Sequence, residues 1–144
     1  HFHLNLPFLG NNDFYKNNFS PEGLYQFQSD VIRKTAEENL RCVFVGRTAD
    51  YILRDNPNVI NIFITAEINF RAKNVTERLG CTMEEAFKVI ENKESERAKY
   101  YNYYTGKVWG HAESYDLCVD ASILGIEETK DFIACFIRKK LAIE

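Results

Sequence analysis

Three short apolar runs, separated by helical patterns, leave this chain few folds to adopt. The runs are RCVFV (41–45), VINIFI (59–64) and YDLCVDAS (115–122). Near-continuous β-branched sequence is typical of strands that are buried on both faces. Strands that alternate with helices form parallel sheets through right-handed crossovers. We therefore predict an α/β fold in which helices flank a parallel sheet.

The predicted sheet has few strands. Sheets average about five or six strands, and a parallel sheet of three leaves apolar edges unpaired. We expect further strands to come from sequence missing from this chain, from its first residues, or from a second copy. A second copy would supply strands through a homodimer or through strand exchange.

Helix start and stop signals lie between and around the strands. Ser20 and Pro21 predict a helix N-terminus, Gly80 a C-terminus, and Thr82 with Glu85 a capping box. Helices are predicted over about residues 21–39, 66–79, 83–104 and 125–142. No repeat or linker interrupts the chain, so we predict one domain over residues 1–144.

Charge and composition exclude several functions. The chain has 144 residues, 45% of them hydrophobic, and a formal net charge of −3. A negative chain has no general attraction for nucleic acid or anionic membranes, and no apolar run approaches the roughly 20 residues of a membrane span. We expect a cytoplasmic protein with neither partner, and any anion site must be built locally.

The cysteines are more typical of buried free thiols than of metal ligands or disulfides. The four are widely spaced, form no C-x-x-C motif, and lie in or beside apolar runs. They are Cys42, Cys81, Cys118 and Cys135.

The first candidate anion site follows the run at 41–45. Gly46 permits a sharp turn where that predicted strand ends, and Arg47 beyond it can bind a phosphate through two parallel hydrogen bonds. Asp50 lies one turn further and can accept a hydrogen bond from a sugar or base. A turn glycine, a surface arginine and a capping aspartate explain the same residues equally simply, so both interpretations stay open.

The second candidate is the helical stretch FRAKNVTERLG, which is rich in Arg71, Lys73 and Arg78. Glu67 stands four residues before Arg71, and Glu77 stands beside Arg78. Ordinary helical ion pairing therefore explains these cations better than a ligand does.

The third candidate is Lys93 with Arg97. They are four residues apart, so they lie on one helix face and repel each other mildly unless a polyanion such as a triphosphate lies across them. Glu94 and Glu96 are within reach and neutralise them equally well in a solvated helix face.

The stretch KYYNYYTGKVWG (99–110) offers three interpretations: a platform for a nucleobase, a patch for a partner, or packing. Packing is the commonest use of aromatic residues, and we assign it to Tyr100, Tyr101 and Tyr104. At the end of the third predicted strand, Asp120 can hold a metal-bound water or cap the next turn, and we favour the cap.

One phosphate-binding motif is missing from the chain. None of the seven glycines belongs to the sequence G-x-x-x-x-G-K-[ST], whose backbone amides hold phosphates in P-loop enzymes.

Taken in order, these segments resemble the cytidylate kinase-like branch of the P-loop nucleoside monophosphate kinases. The resemblance covers about residues 25–135. Its most specific parts are Gly46-Arg47 after a strand and the run from Lys93 to Tyr101 before the last strand. It implies a three-layer P-loop NTPase-like fold whose first strand and P-loop are missing from this chain, with a helical lid at about residues 80–110.

The resemblance also implies a reaction, phosphoryl transfer from ATP with Mg²⁺ to a nucleoside monophosphate, CMP or dCMP first. Arg33 and Arg47 would face the acceptor phosphate, and Asp50 its sugar or base. Lys93 and Arg97 would be catalytic lid cations. Without a P-loop, we expect the chain alone to be inactive.

Supporting cations at the base of the lid would be Arg71 and Arg78. The chain departs from the family pattern at Thr48, where Asp is usual after Gly-Arg, and at Lys93 and Glu96, where Arg is usual. The main alternative is a non-catalytic nucleotide-binding or regulatory module with the same fold. A protein-binding or single-strand-binding domain that uses the aromatic stretch is a third.

Overall fold

The computed structural model describes residues 20–39 and 41–142, which fall into two compact units that meet in sequence at Leu53 and Arg54. The first unit contains α1 (Pro21–Glu38) and α2 (Ala49–Ile52). The second contains β1 (Ile62–Thr65), α3 (Ile68–Leu79), α4 (Met83–Thr105), a 3₁₀ turn (Ala112–Ser114), β2 (Leu117–Asp120) and α5 (Ala121–Leu141). A strand supplied by the first residues would lie outside the described ranges.

In the first unit, α1 begins as predicted. Ser20 Oγ accepts a hydrogen bond of 3.1 Å from Gly23 N, and Pro21 takes the first turn, where a missing N–H costs little. The helix contacts α2. Ile32 of α1 and Ile52 of α2 are both buried.

The predicted strand at 41–45 is wrong. The segment has no strand or helix assignment, and the side chains of Val43 and Val45 are 90% and 89% exposed. An apolar run becomes a strand only when a neighbour satisfies its backbone groups. No residue that the structure describes forms strand pairing with the run at 41–45.

In the second unit, β1 and β2 pair in parallel, from Ile62 opposite Leu117 to Thr65 opposite Asp120. The order of these two strands and the helices between them confirms the mixed α/β fold with a parallel sheet. Within the described residues the sheet has two strands, both shorter than the runs that predicted them.

Helices α3 and α4 form a packed hairpin. Gly80 ends α3 with φ of +65° and donates to Thr76 O at 2.8 Å. The capping box starts α4: Glu85 N donates to Thr82 Oγ1 at 3.2 Å, and Thr82 N donates to Glu85 Oε2 at 2.8 Å. Both predicted signals are confirmed. The shared core consists of Ala72, Val75, Ala86 and Ile90.

The last helix, predicted from residue 125, is preceded by one further helical turn. α5 begins at Ala121, and Gly125 interrupts it with φ of 79° and ψ of 171°. Only glycine adopts that conformation freely, so Gly125 separates a first turn from the long helix. The long part ends in Arg138, Lys139 and Lys140, where cations favour the helix dipole.

Two smaller findings concern the side chains and the membrane. All four cysteines are free, but Cys42, Cys118 and Cys135 are exposed, so the predicted burial is wrong for these three. None of the helices within residues 20–39 and 41–142 is long and apolar enough to cross a membrane.

Candidate functional site

A cavity of about 310 Å³ lies in the second unit, at the carboxyl end of β1. This is the end of a parallel strand where α/β proteins bind ligands, and the volume is at the lower limit for small-molecule sites. Its polar wall comes from Arg71, Asn74, Glu94 and Arg97, and its aromatic wall from Phe63, Phe70 and Trp109. The site therefore combines two guanidinium groups with aromatic rings.

Arg71 lies on α3 and pairs with Glu94 of α4. The predicted pairing with Glu67 is wrong, because Glu67 instead caps α3 by accepting from Asn69 N at 2.9 Å and Phe70 N at 3.1 Å. Those backbone hydrogen bonds lower the pKa of Glu67. Arg71 Nε is buried and has no hydrogen-bond partner among the residues described.

The two proposed lid cations, Lys93 and Arg97, differ in their partners. Lys93 donates to Glu96 Oε2 at 2.8 Å, and this hydrogen bond is the largest cause of the lowered pKa of Glu96. For Arg97 no hydrogen bond or ion pair occurs with any residue in 20–39 or 41–142. A cation that lines a cavity without a direct ion-pair partner is available to an anionic ligand.

The structure brings Arg71 and Arg97 together at the cavity but does not place every predicted cation there. Arg78 is exposed in the last turn of α3, and neither it nor Lys93 is among the described lining residues.

Trp109, which the sequence indicated only as part of the aromatic stretch 99–110, lines the cavity. Asn102 Oδ1 accepts from Trp109 N at 2.8 Å, which fixes the loop against the end of α4. The indole makes an edge contact with Phe63, with ring centroids 5.4 Å apart and planes at 76°. Gly110 lies against the same ring, and a Cβ there would be 3.1 Å from Phe63 Cζ.

The tyrosines before this loop divide into buried and exposed ones. Tyr101 is 5% exposed, which confirms its predicted packing role, whereas Tyr103 is 71% exposed. Tyr100 and Tyr104 contact each other with ring centroids 4.8 Å apart.

In the first unit, the turn at Gly46-Arg47-Thr48 has an uncommon backbone. The three φ angles are +69°, +57° and +57°, and a residue with a Cβ pays about 1–2 kcal/mol for that region. Thr48 is buried, and its Oγ1 lies 3.3 Å from the Tyr25 hydroxyl oxygen. The turn anchors Thr48 and leaves the Arg47 side chain exposed.

The other two candidates of this unit lie on its helices. Arg33 is exposed on α1 and lies 3.4 Å from the carboxylate of Asp30. Asp50 occupies the first turn of α2.

Asp120 ends β2 as a cap, which confirms the prediction. Its Oδ1 accepts from Ser122 N at 2.9 Å and from the Ser122 hydroxyl, and these hydrogen bonds lower the pKa of Asp120. Ser122 Oγ in turn accepts from Glu67 N at 3.2 Å. No group of three or more potential metal-binding side chains occurs in the described part of the chain.

Comparison with known proteins assigns the class. The model of the cytidylate kinase-like family matches residues 4–123, so the chain belongs to that family. It is 33% identical over 100 residues to the cytidylate kinase of Pyrococcus furiosus, and 32% identical over 100 residues to that of Pyrococcus abyssi. These alignments cover 67% of this chain and 50% and 54% of the two relatives.

A solved structure shares the fold. A crystal structure of an uncharacterized protein from Eubacterium ventriosum has a TM-score of 0.78 and 32% identity, over 84% of this chain and 69% of that one. The chain spans about half the length of the curated relatives that it matches.

Proposed function

We propose that this chain is part of a nucleotide kinase that transfers a phosphoryl group from ATP to a nucleoside monophosphate, with CMP or dCMP as the acceptor. The observation that carries the proposal is the pair Arg71 and Arg97 in one cavity at the carboxyl end of a parallel strand. The family of the chain supports the choice of reaction and of acceptor.

The cavity cations suit this chemistry because phosphoryl transfer depends on positioning and on neutralising charge. Arg97 is given the leading role, since it has no ion pair to exchange among the described residues. Lys93 and Arg71 would first break their ion pairs with Glu96 and Glu94. Each cation would then bind a phosphate oxygen. This is the step in which the proposed lid, at about residues 80–110, closes over the donor.

The first unit supplies the proposed acceptor residues. Arg47 would bind the monophosphate, supported by Arg33, and Asp50 would accept from the sugar or base. A backbone held at positive φ in a non-glycine residue is typical of functional positions, and Arg47 has φ of 57°.

Magnesium would enter with ATP, because Mg²⁺ in such sites is held largely by phosphate oxygens and water. The proposal assigns no residue of this chain as a magnesium ligand.

A transfer assay tests the proposal. An N-terminally extended form of the chain is assayed for ATP-dependent phosphorylation of CMP, beside its Arg47→Ala variant and the control Arg41→Ala, which removes another exposed arginine of the same unit. Loss of a charged, bidentate contact predicts that Arg47→Ala lowers kcat/KM for CMP by roughly 10- to 100-fold. Equal rates in all three proteins, or no transfer to any nucleotide, would contradict it.

A second function, a nucleotide-binding module without turnover, is favoured by one observation. Glu96 and Glu94 neutralise two of the cations that the reaction would use. Under this alternative, CMP or ATP raises the melting temperature of the extended protein but no phosphoryl group is transferred.

A further inference from the structure

The aromatic wall of the cavity has no role in phosphate binding. Trp109 and Phe63 line the same cavity as Arg97 and Arg71. Packing explains why the indole contacts Phe63. It does not explain why the indole also lines a cavity beside two cations.

The indole is held in place rather than left mobile. Its backbone N–H is hydrogen-bonded to Asn102, and its ring contacts Phe63. Gly110 lets the backbone pass close to the Phe63 ring, since a Cβ at this position would lie 3.1 Å from Phe63 Cζ. An indole that packs on Phe63, on a backbone that is hydrogen-bonded to Asn102, loses little conformational entropy when a ligand binds.

The spacing along α4 relates the indole to the cation. Asn102 is five residues after Arg97, which is about 7.5 Å along a helix at 1.5 Å per residue. A ligand that contacts both the indole and the guanidinium would combine a flat aromatic group with a separate negative charge. A nucleotide has this form, with phosphates at one end and a base at the other.

We infer that Trp109 binds the base of the nucleotide whose phosphates Arg97 and Arg71 hold. The inference rests on the proposed function and adds to it a residue for the aromatic end of the donor. Stacking on an aromatic side chain is worth about 1–3 kcal/mol per base, and it tolerates different bases because each has a π-face. The contact therefore adds affinity for nucleotides in general and does not determine which acceptor is used.

The test compares a ligand with a base and a ligand without one. Calorimetric titrations of the full 144-residue chain use ATP and inorganic tripolyphosphate, on the unsubstituted protein and on Trp109→Leu and Trp109→Phe. The control is Tyr103→Leu, which removes a ring that is 71% exposed near the same end of α4. Since Trp109 is the single tryptophan, its fluorescence reports the same binding event directly in the unsubstituted chain.

The expected result is that Trp109→Leu weakens ATP binding by roughly 5- to 150-fold, the range that stacking energies give, and leaves tripolyphosphate binding unchanged. Trp109→Phe retains most of the ATP affinity, and Tyr103→Leu retains all of it. ATP, but not tripolyphosphate, changes the fluorescence of Trp109.

Two results would overturn the inference alone: unchanged ATP binding in Trp109→Leu, or an equal loss for ATP and tripolyphosphate, which would make the role of the indole structural. If the unsubstituted chain binds neither ligand, the proposed donor site itself fails, and the inference with it.

Discussion

Two apolar runs of similar composition have different outcomes in the two units. VINIFI supplies β1, and Phe63 within it contacts the rings of Trp109 and Tyr115, with centroids 5.4 and 5.0 Å away. RCVFV forms no strand, and its two valines are about nine-tenths exposed. Both runs have the residues of a buried strand, but only the first has a partner in the described chain.

The difference teaches that a strand depends on its neighbour as much as on its own residues. β1 receives backbone hydrogen bonds from β2, and the Asp116 side chain accepts from Asn61 N at 2.7 Å just before the strand starts. β-propensity measures how well a residue fits a pleated, half-buried surface. Without that surface, Val43 and Val45 gain nothing from being β-branched.

The largest expected effect comes from removing the ring at the centre of the successful run. Phe63→Ala should lower the free energy of unfolding by about 2–3 kcal/mol, less than the 3–5 kcal/mol of a fully buried ring, because Phe63 is half-buried. Urea unfolding followed by circular dichroism measures it. The matched change, Val43→Ala, should cost less than about 0.5 kcal/mol because the side chain is already exposed. Equal costs would refute the contrast between the two runs.

A smaller effect is expected at the start of β1. Asp116 also accepts a hydrogen bond from Lys140 of α5, and this bond is the largest cause of its lowered pKa. Asp116→Asn should lower the free energy of unfolding by about 1 kcal/mol near neutral pH. This is less than the loss of a buried charged hydrogen bond, because both side chains are partly exposed.

The same residue makes a prediction about pH. A lowered pKa means that the stabilisation is complete above the pKa of the unfolded aspartate and is lost as pH falls through the lower pKa of the folded state. Unfolding midpoints of the unsubstituted chain and Asp116→Asn should therefore converge in acid. The control Asp131→Asn, at an exposed position of α5, should cost less than about 0.5 kcal/mol at neutral pH. A constant gap at all pH values would mean that charge is not involved.

An effect of similar size tests the local helix signals separately from strand pairing. Thr82→Ala removes the half of the capping box in which Thr82 Oγ1 accepts from Glu85 N, and should cost about 1 kcal/mol. Ser95→Ala, an exposed position in the middle of α4, should be neutral or slightly stabilising because alanine favours a helix interior more than serine does. Thermal unfolding by circular dichroism measures both. A stabilising Thr82→Ala would show that the local signal does not start the helix.

The sequence predicted best those features that a few neighbouring residues determine. Ser20, Gly80, Thr82 and Asp120 all cap helices as expected, because caps are satisfied within three or four residues. The strand at 41–45 was predicted wrongly because strand formation depends on a pairing neighbour, and none occurs among the described residues. The helical turn between Asp120 and Gly125 was not predicted, so the last helix was placed from Gly125 onward.

The candidate site shows the same limit. Arg71 and Arg97 could be picked out by charge and spacing, but their meeting at one cavity depends on the packing of α3 on α4. The pairing of Arg71 with Glu94 crosses from one helix to the other, so a search for partners four residues apart selected Glu67 instead. Trp109 belonged to a stretch for which a nucleobase platform, a partner patch and packing were all considered, and nothing in the sequence showed that it faces a cavity.

The most direct test of the account is an ATP titration of the chain and two arginine variants, Arg97→Ala and Arg138→Ala. Arg97 lines the cavity, whereas Arg138 lies exposed in the last turn of α5. Calorimetry should show ATP affinity reduced roughly 10- to 100-fold by Arg97→Ala, the loss of one or two charged hydrogen bonds, and unchanged by Arg138→Ala. Equal affinities in the three proteins would contradict the assignment of this cavity to the phosphates of a nucleotide.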